Sequence, residues 1–362
     1  MKIAFLGHNN FSDYFKIGGF ESLTRRLAFY LSSRGHFVDY FIYNAESAKE
    51  MEVFPNLKLK YFQSFEDCSD ALFQSYDHIF KIWLNRRERI RYILFSKRIH
   101  YLTKARCHSI ILNWSDSIFK QKLILLEAMM SSHDGRIICV SPRQYRKIKT
   151  WSKRAYFLYP PVPDEYFLKP EEKSKNEKIK VAFLGMITPD KYIEEIIELF
   201  KDLRRDPRFD CIIHAIHDSR NKRSFEIHQW LSRQKEVKYI QEDIQKYSPE
   251  GEKKVISLLR ETDIFIQPFR RLVNTLDTPL LLLEAMASLC AVVTTPTGSV
   301  PGIYGKSPFI ISRDHFLEEA RILLKNITYQ RILKERERIF KRNGELNFAL
   351  SSMGPALDEL LR

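Results

Sequence analysis

The sequence has few cysteines and no long apolar run. Its five cysteines form no C-x-x-C pair, which excludes a disulfide framework and a cysteine-bound zinc site. No apolar stretch approaches the roughly 18 residues that a membrane-spanning helix needs, and the N-terminus enters a strand pattern without a signal-peptide cleavage site. We therefore expect a cytoplasmic protein with buried, reduced thiols.

Several ligand-binding motifs are also missing. No G-x-G-x-x-G follows Gly7, and Tyr43-Asn44 stand where a dinucleotide-binding domain has an acidic residue at the end of its second strand. There is no Walker A sequence, no D-x-D pair, and no histidine spacing typical of metal ligands. These absences argue against nicotinamide chemistry and against a bound metal.

The chain is long enough for two domains, with 362 residues and 44% hydrophobic content. The strand pattern of residues 2–7 recurs at 180–185, and each copy ends in glycine before a loop and an amphipathic helix. Chance similarity of two strands is the alternative explanation. The alternation predicts an α/β protein with two doubly wound, Rossmann-like domains facing across a cleft. We expect an N-terminal acceptor-side domain over 1–165, a C-terminal domain over 175–343, and a final helix over 344–362 that packs back on the first.

One apolar helix contains a single carboxylate. Glu284 is the only charged residue between Pro279 and Val293, and a helix that is apolar on all sides is normally buried. A buried carboxylate needs a partner, either a ligand hydroxyl or an internal arginine or backbone donor. Thr278 suits the N-cap and Pro279 the first helical position, which would leave backbone N–H groups free to bind phosphate.

Two weaker signals lie at the other predicted loops. Gly18 and Gly19 precede the first helix, where the lack of a Cβ lets the backbone approach a phosphate or sugar. Lys191, at the start of the helix after Gly185, could reach a phosphate or could be an ordinary exposed lysine.

Positive charge is concentrated in the first half. Residues 1–170 contain 27 lysines and arginines against 16 acidic residues. The densest run predicts a basic, amphipathic helix that either is a solvated face or lies on an anionic membrane or acceptor. Its basic residues are Arg86, Arg87, Arg89, Arg91, Lys97 and Arg98.

Several ordered motifs resemble family 4 retaining glycosyltransferases of the GT-B fold. These motifs occupy residues 17–21, 27–38, 140–141, 159–162, 185–191, 283–287 and 292–301. The resemblance implies a nucleotide-sugar-dependent hexosyltransferase that takes a donor such as a UDP- or GDP-sugar, needs no cofactor, and acts on a saccharide or lipid-linked saccharide in polysaccharide biosynthesis. It also implies a cytoplasmic protein, either free or peripheral at the inner face of the membrane.

The resemblance assigns roles to individual positions. Glu284 would bind the ribose hydroxyls, Lys191 the diphosphate, and the backbone of Thr278, Pro279 and Leu280 the phosphate and donor sugar. Gly18 and Gly19 would let the first domain close on the diphosphate, and Gly185 would belong to the nucleotide-sugar-binding site.

The sequence departs from the family pattern near these positions, and a histidine expected at the end of a central strand of the first domain is not apparent, where Lys81 to Trp83 or Asn113-Trp114 stand. Leu276 replaces the glutamate that reads the donor sugar, and we expect its neighbour Asp277 to substitute. Met186 replaces a phosphate-binding arginine, and Tyr192 replaces a glycine. These departures leave open a second function, a catalytically degenerate GT-B protein that binds a saccharide or a protein. We expect no nucleic-acid partner.

Overall fold

The computed structural model describes residues 1–8, 14–72, 76–82, 86–115, 117–173, 175–186, 191–217, 222–234, 238–243, 248–271 and 276–362. By their internal contacts the residues divide into two compact units. Unit 1 comprises Met1–Pro161, Thr275–Asp277 and Met353–Arg362, and unit 2 comprises Val162–Asn274 and Thr278–Ser352. The first division follows Pro161, whereas the sequence predicted a domain ending at residue 165.

Unit 1 is built on an eight-stranded sheet. Its strands are β1 (Lys2–His8), β2 (Phe37–Tyr43), β3 (Lys49–Phe54), β4 (Leu57–Tyr61), β5 (His78–Lys81), β6 (Arg106–Ile111), β7 (Asp134–Cys139) and β8 (Ala155–Phe157). The spatial order is β3-β4-β2-β1-β5-β6-β7-β8. All neighbours are parallel except β3 and β4.

The helices of unit 1 follow its strands. They are α1 (Gly19–Ser33), α2 (Phe65–Leu72), α3 (Arg86–Thr103), α4 (Ile118–Ser131) and α5 (Pro142–Lys149), with α13 (Gly354–Leu361) at the end of the chain. The central strand β1 is almost wholly buried because these helices cover both faces of a parallel sheet.

Unit 2 is built on a five-stranded parallel sheet in the order β11-β10-β9-β12-β13. The strands are β9 (Ile179–Met186), β10 (Phe209–His217), β11 (Lys238–Asp243), β12 (Ile264–Ile266) and β13 (Ala291–Val293). The helices are α6 (Ile193–Arg204), α7 (Lys222–Ser232), α8 (Pro249–Glu261), α9 (Leu280–Ala287), α10 (Val300–Tyr304), α11 (Phe316–Lys325) and α12 (Tyr329–Leu346).

The sequence repeat marks the same place in both units. β1 lies between β2 and β5, and β9 lies between β10 and β12, so each copy is an inner strand of a parallel sheet. The predicted α/β class with two Rossmann-like bodies is confirmed.

Two local predictions need correction. The sequence suggested a helix break near Asn343-Gly344, but α12 continues to Leu346 and the chain turns at Asn347, whose φ is 50°. The antiparallel edge strand β3 was not predicted, because its residues are largely exposed and lack an apolar alternation. All five cysteines are free and buried, as predicted.

Candidate functional site

Helix α9 carries the predicted nucleotide-binding glutamate. Glu284 is only 4% exposed, and almost every other residue of the helix is buried with it. The helix begins at Leu280, and Pro279 is its N-cap residue. Both lie one position later than the sequence predicted. The Thr278 side chain therefore does not cap the helix, since no side chain makes a capping hydrogen bond there.

Lys191 lies just before helix α6, and its ammonium group is close to Gly185 on strand β9 and to the first turn of α9. A Cβ added to Gly185 would lie 3.2 Å from Lys191 Nζ and 3.6 Å from Leu281 Cδ1. Gly185 has a φ of 144°, a backbone conformation that residues with a side chain rarely adopt. The ammonium thus packs directly over a glycine backbone, beside the helix that contains Glu284.

The environment of Lys191 lowers its pKa to about 8, because burial disfavours the charged form. Among the described residues, no carboxylate pairs with its ammonium group. A desolvated ammonium without an anionic partner is suited to an anionic ligand.

Four buried polar atoms of unit 2 have no hydrogen-bond partner in the described part of the chain: Thr278 Oγ1, Gln267 Oε1, Arg336 Nε and Asn343 Oδ1. Two of them lie near the predicted site, Thr278 Oγ1 just before α9 and Gln267 Oε1 just after strand β12. Leaving such an atom unsatisfied costs about 1–3 kcal/mol, and a bound ligand can relieve that cost. Sequence reasoning named Thr278 but missed Gln267, whose only signal was its place directly after a buried strand.

In unit 1 the paired glycines start helix α1. Gly18 is the N-cap residue in an extended conformation, and a Cβ at that position would collide with the Glu21 carboxylate. A Cβ on Gly19 would lie 3.5 Å from Leu276 Cδ1, an ordinary contact. The Glu21 carboxylate is the far end of a flexible side chain and can move, so packing does not require glycine at position 18, and Gly19 is exposed.

Asp277, the expected substitute for the sugar-reading glutamate, is already bound within unit 1. Its carboxylate is fully buried and accepts from Arg143 Nε at 2.8 Å and Nη2 at 2.5 Å, and from the Ser141 hydroxyl. Its backbone N–H donates to Leu112 O at 2.9 Å. These contacts hold the chain just before Thr278 in a fixed position.

A cavity of about 60 Å³ opens in unit 1 at the carboxyl ends of β5 and β6. Its polar lining includes Lys81, Asn113 and Glu127. Lys81 Nζ donates to Glu127 Oε1 at 2.7 Å and to Ser131 Oγ at 3.0 Å. Carboxyl ends of parallel strands are the usual ligand side of such a sheet, so the cavity is a second candidate subsite.

The predicted basic surface lies on helix α3. The side chains of Arg86, Arg87 and Arg89 lie outside the described residues. Arg91 forms an ion pair with Glu66. Lys97 and Arg98 are exposed, as expected for a helix face open to solvent or a partner.

Helix α4 packs against α3 and exposes several apolar side chains. Its exposed apolar residues are Ile118 (69%), Phe119 (70%), Leu123 (50%), Leu126 (54%) and Met130 (46%). Helix α3 adds Ile90, Leu94, Tyr101 and Leu102, each more than half exposed. No helix in the described ranges is both long and apolar enough to traverse a bilayer.

A family model matches part of the sequence, and solved structures are similar to the fold of the whole chain. Residues 164–336, most of unit 2, match the family model described as glycosyl transferases group 1. No curated protein sequence matches the chain.

Three solved structures illustrate the similarity in fold. The complex of Anabaena HepE with UDP-glucose has a TM-score of 0.70 at 14% identity, covering 100% of this chain and 99% of that chain. WaaG, a glycosyltransferase involved in lipopolysaccharide biosynthesis, has a TM-score of 0.63 at 14% identity, covering 98% of both chains. The catalytic domain of starch synthase IV from Arabidopsis thaliana, bound to ADP and acarbose, has a TM-score of 0.62 at 12% identity, covering 99% of this chain and 98% of that chain.

At such low identity these structures establish the fold, while the family match rests on the sequence of unit 2. Residues 164–336 match the model of glycosyl transferases group 1, and the chain as a whole has the GT-B fold.

Proposed function

We propose that the protein is a glycosyltransferase that moves a sugar from a nucleoside diphosphate donor to a saccharide or lipid-linked saccharide. The observation that carries this proposal is the Lys191 ammonium, which lies over Gly185 beside the helix that buries Glu284. The group 1 match covers these same residues. The similar Anabaena HepE and starch synthase IV structures contain UDP-glucose and ADP, respectively.

The proposed reaction needs stabilisation of a leaving nucleoside diphosphate. Lys191 and the free backbone N–H groups at the start of α9 would neutralise the growing negative charge without a metal ion. Glu284 would accept hydrogen bonds from ribose hydroxyls, and the Thr278 hydroxyl would gain the partner that it lacks. We propose retention at the anomeric carbon, as in family 4, with the acceptor attacking from the leaving-group side so that no protein nucleophile is required.

The acceptor would bind in unit 1. The cavity lined by Lys81, Asn113 and Glu127 offers donors and acceptors for a sugar hydroxyl. The Glu127 carboxylate is about one-fifth exposed, so it can accept a hydrogen bond from a ligand while keeping its contact with Lys81.

Calorimetric titration with UDP, GDP and ADP tests the donor site. We expect at least one of them to bind, and Glu284→Gln to weaken that binding about tenfold, because a charged hydrogen-bond acceptor contributes about 1.5–3 kcal/mol. Glu337→Gln, at an exposed position on α12, is the matched control and should bind as the wild type does. Absence of binding by all three nucleotides would refute the proposal.

A catalytically degenerate binding protein is the alternative function. The ion pair between Asp277 and Arg143 favours it, because the carboxylate expected to read the donor sugar is already occupied. Turnover of UDP-, GDP- or ADP-glucose with a panel of saccharide acceptors, abolished by Lys191→Met, would exclude the alternative.

We further propose that helices α3 and α4 face the inner surface of an anionic membrane. Helix α4 exposes Lys120 and Lys122 among its apolar residues, and its one carboxylate, Glu127, is paired with Lys81. Exposed apolar groups next to lysines suit binding to acidic lipid, with about 1 kcal/mol for each cation near the surface.

Vesicle sedimentation tests the membrane proposal. Phosphatidylcholine vesicles containing phosphatidylglycerol should bind the protein, and vesicles of phosphatidylcholine alone should bind it weakly. Replacing Phe119 and Leu123 by serine should reduce binding, whereas Ile322→Ser, at an exposed position on α11, should not. Equal binding of the two vesicle types, or of the two variants, would contradict the proposal.

A further inference from the structure

The donor site as proposed has too little positive charge for its ligand. A departing nucleoside diphosphate carries several negative charges. The one cation assigned to it, Lys191, has its pKa lowered by burial to about 8 and so is only half charged at pH 8. This reasoning rests on the proposed function, and it directs attention to the other cations near Lys191.

Arg270 lies on the same side of the sheet. It follows strand β12, which pairs in parallel with β9, so both strands end at the same edge. The Arg270 guanidinium lies 4.5 Å from the centre of the Tyr192 ring. Tyr192 therefore links the two cations: Lys191 precedes it in the sequence, and Arg270 stacks on its ring.

Tyr192 is held in a conformation that favours glycine. Its φ is 53°, at a cost of roughly 1–2 kcal/mol for a residue with a side chain. Its hydroxyl donates to Arg313 O at 2.6 Å, and its ring lies 4.9 Å from that of Phe316. Together with Arg270 these contacts fix the strained backbone directly after Lys191.

Arg270 also has unused hydrogen-bonding capacity. Its Nη2 contacts the Glu195 carboxylate, and its other N–H groups have no partner among the described residues. The side chain is 49% exposed, so the ion pair with Glu195 is of the weak surface type. A guanidinium in this position can leave the Glu195 carboxylate and bind the oxygens of a diphosphate, or it can bind both at once.

We propose that Arg270 is a second cation that binds the donor diphosphate. Its guanidinium stacks on Tyr192 and is paired with Glu195 until the ligand binds. The group binds the phosphates through charge-assisted N–H donation and supplements the charge of Lys191. Arg270 therefore contacts the ligand itself and is more than a support for the tyrosine.

Calorimetric titration with UDP, GDP, ADP and inorganic pyrophosphate tests this proposal. Arg270→Met should weaken nucleoside diphosphate and pyrophosphate binding about tenfold, the effect of losing one charge-assisted hydrogen bond, and Arg270→Lys should weaken it less. Glu195→Gln should strengthen binding severalfold, because it removes the competing carboxylate. Glu198→Gln, the same change of charge one turn further along α6, is the control for the general field and should have a smaller effect.

The outcomes separate the two proposals. If the wild type binds none of these ligands, both the proposed function and the role of Arg270 are wrong. If the wild type binds and Arg270→Met binds equally well, only the role of Arg270 is wrong. If Arg270→Met and Glu195→Gln both weaken binding, Arg270 acts only as a support for Tyr192, and the proposal is likewise overturned. Thermal melts show whether each variant folds. If Arg270→Met does not fold, the binding measured for Arg270→Lys and Glu195→Gln decides whether Arg270 contacts the ligand.

Discussion

Nucleotide binding should depend on pH through a single side chain, Lys191. Burial lowers its pKa to about 8, so the protonated form, which binds the diphosphate, predominates at pH 7 and falls to about a tenth at pH 9. Affinity should therefore fall about tenfold between pH 7 and pH 9, equivalent to about 1.4 kcal/mol. The charge of the ligand is nearly constant above pH 7.5, since the second pKa of a phosphate monoester is about 6.

The assay is calorimetric titration with UDP, GDP or ADP across this pH range. At pH 8 each binding event should take up about half a proton, because the bound phosphate restores the charge on Lys191. This uptake appears as a dependence of the measured heat on the ionisation enthalpy of the buffer. Lys191→Arg should bind with no pH dependence, as its guanidinium stays charged, and the control Lys325→Met, at an exposed position on α11, should keep the wild-type profile.

The same shift has an effect on stability. The folded-state pKa of Lys191 lies below its ordinary value of 10.5, so the unfolded chain binds more protons between about pH 8 and pH 10.5, and stability rises with pH across this window. Lys191→Met should therefore raise the melting temperature at pH 7 while it weakens nucleotide binding. A variant that loses both binding and stability, or a wild type whose affinity is flat from pH 7 to pH 9, would refute this reasoning.

Three further predictions concern buried groups. Arg336→Met should lower the free energy of unfolding by about 3–5 kcal/mol in urea titration, because it leaves the buried Asp263 carboxylate without its ion-pair partner. Adding Asp263→Asn should recover part of that loss. A double variant whose loss equals the sum of the two single losses would contradict this. Arg143→Met should destabilise more than Asp277→Asn, since Arg143 is partly exposed and can turn to water whereas the fully buried carboxylate cannot; the reverse order of melting temperatures would count against it. The five thiols should react with Ellman's reagent only after unfolding, because all are buried and burial raises the pKa of three of them to about 12; rapid reaction of the native protein would show that a thiol is accessible.

Part of the site could be predicted because its signals are local. Glu284 stands out as one charge in an apolar helix, and Lys191 lies a few residues after a recognisable strand and glycine. The buried position of Glu284 follows from the apolar character of the residues around it. The position of the helix start was wrong by one residue, because Thr278 and Pro279 both fit the cap and only packing selects between them.

Other features depend on residues far apart in sequence. Arg143 and Asp277 are separated by 134 positions, and no pattern in either segment indicates that they meet. Arg270 contacts Tyr192, and the two residues follow neighbouring strands that are far apart in sequence. The exposed apolar face of α4 is the side of the helix that the rest of the unit leaves uncovered.

The sequence alone determined the alternation of strands and helices, the repeat that opens the two units, and the buried carboxylate of α9, because hydrophobic periodicity and local backbone preferences are properties of neighbouring residues. The tertiary structure decided which charges pair, which ammonium group is desolvated, and which apolar side chains remain in water. Those outcomes depend on desolvation and on contacts between distant segments, and both exist only once the chain has folded.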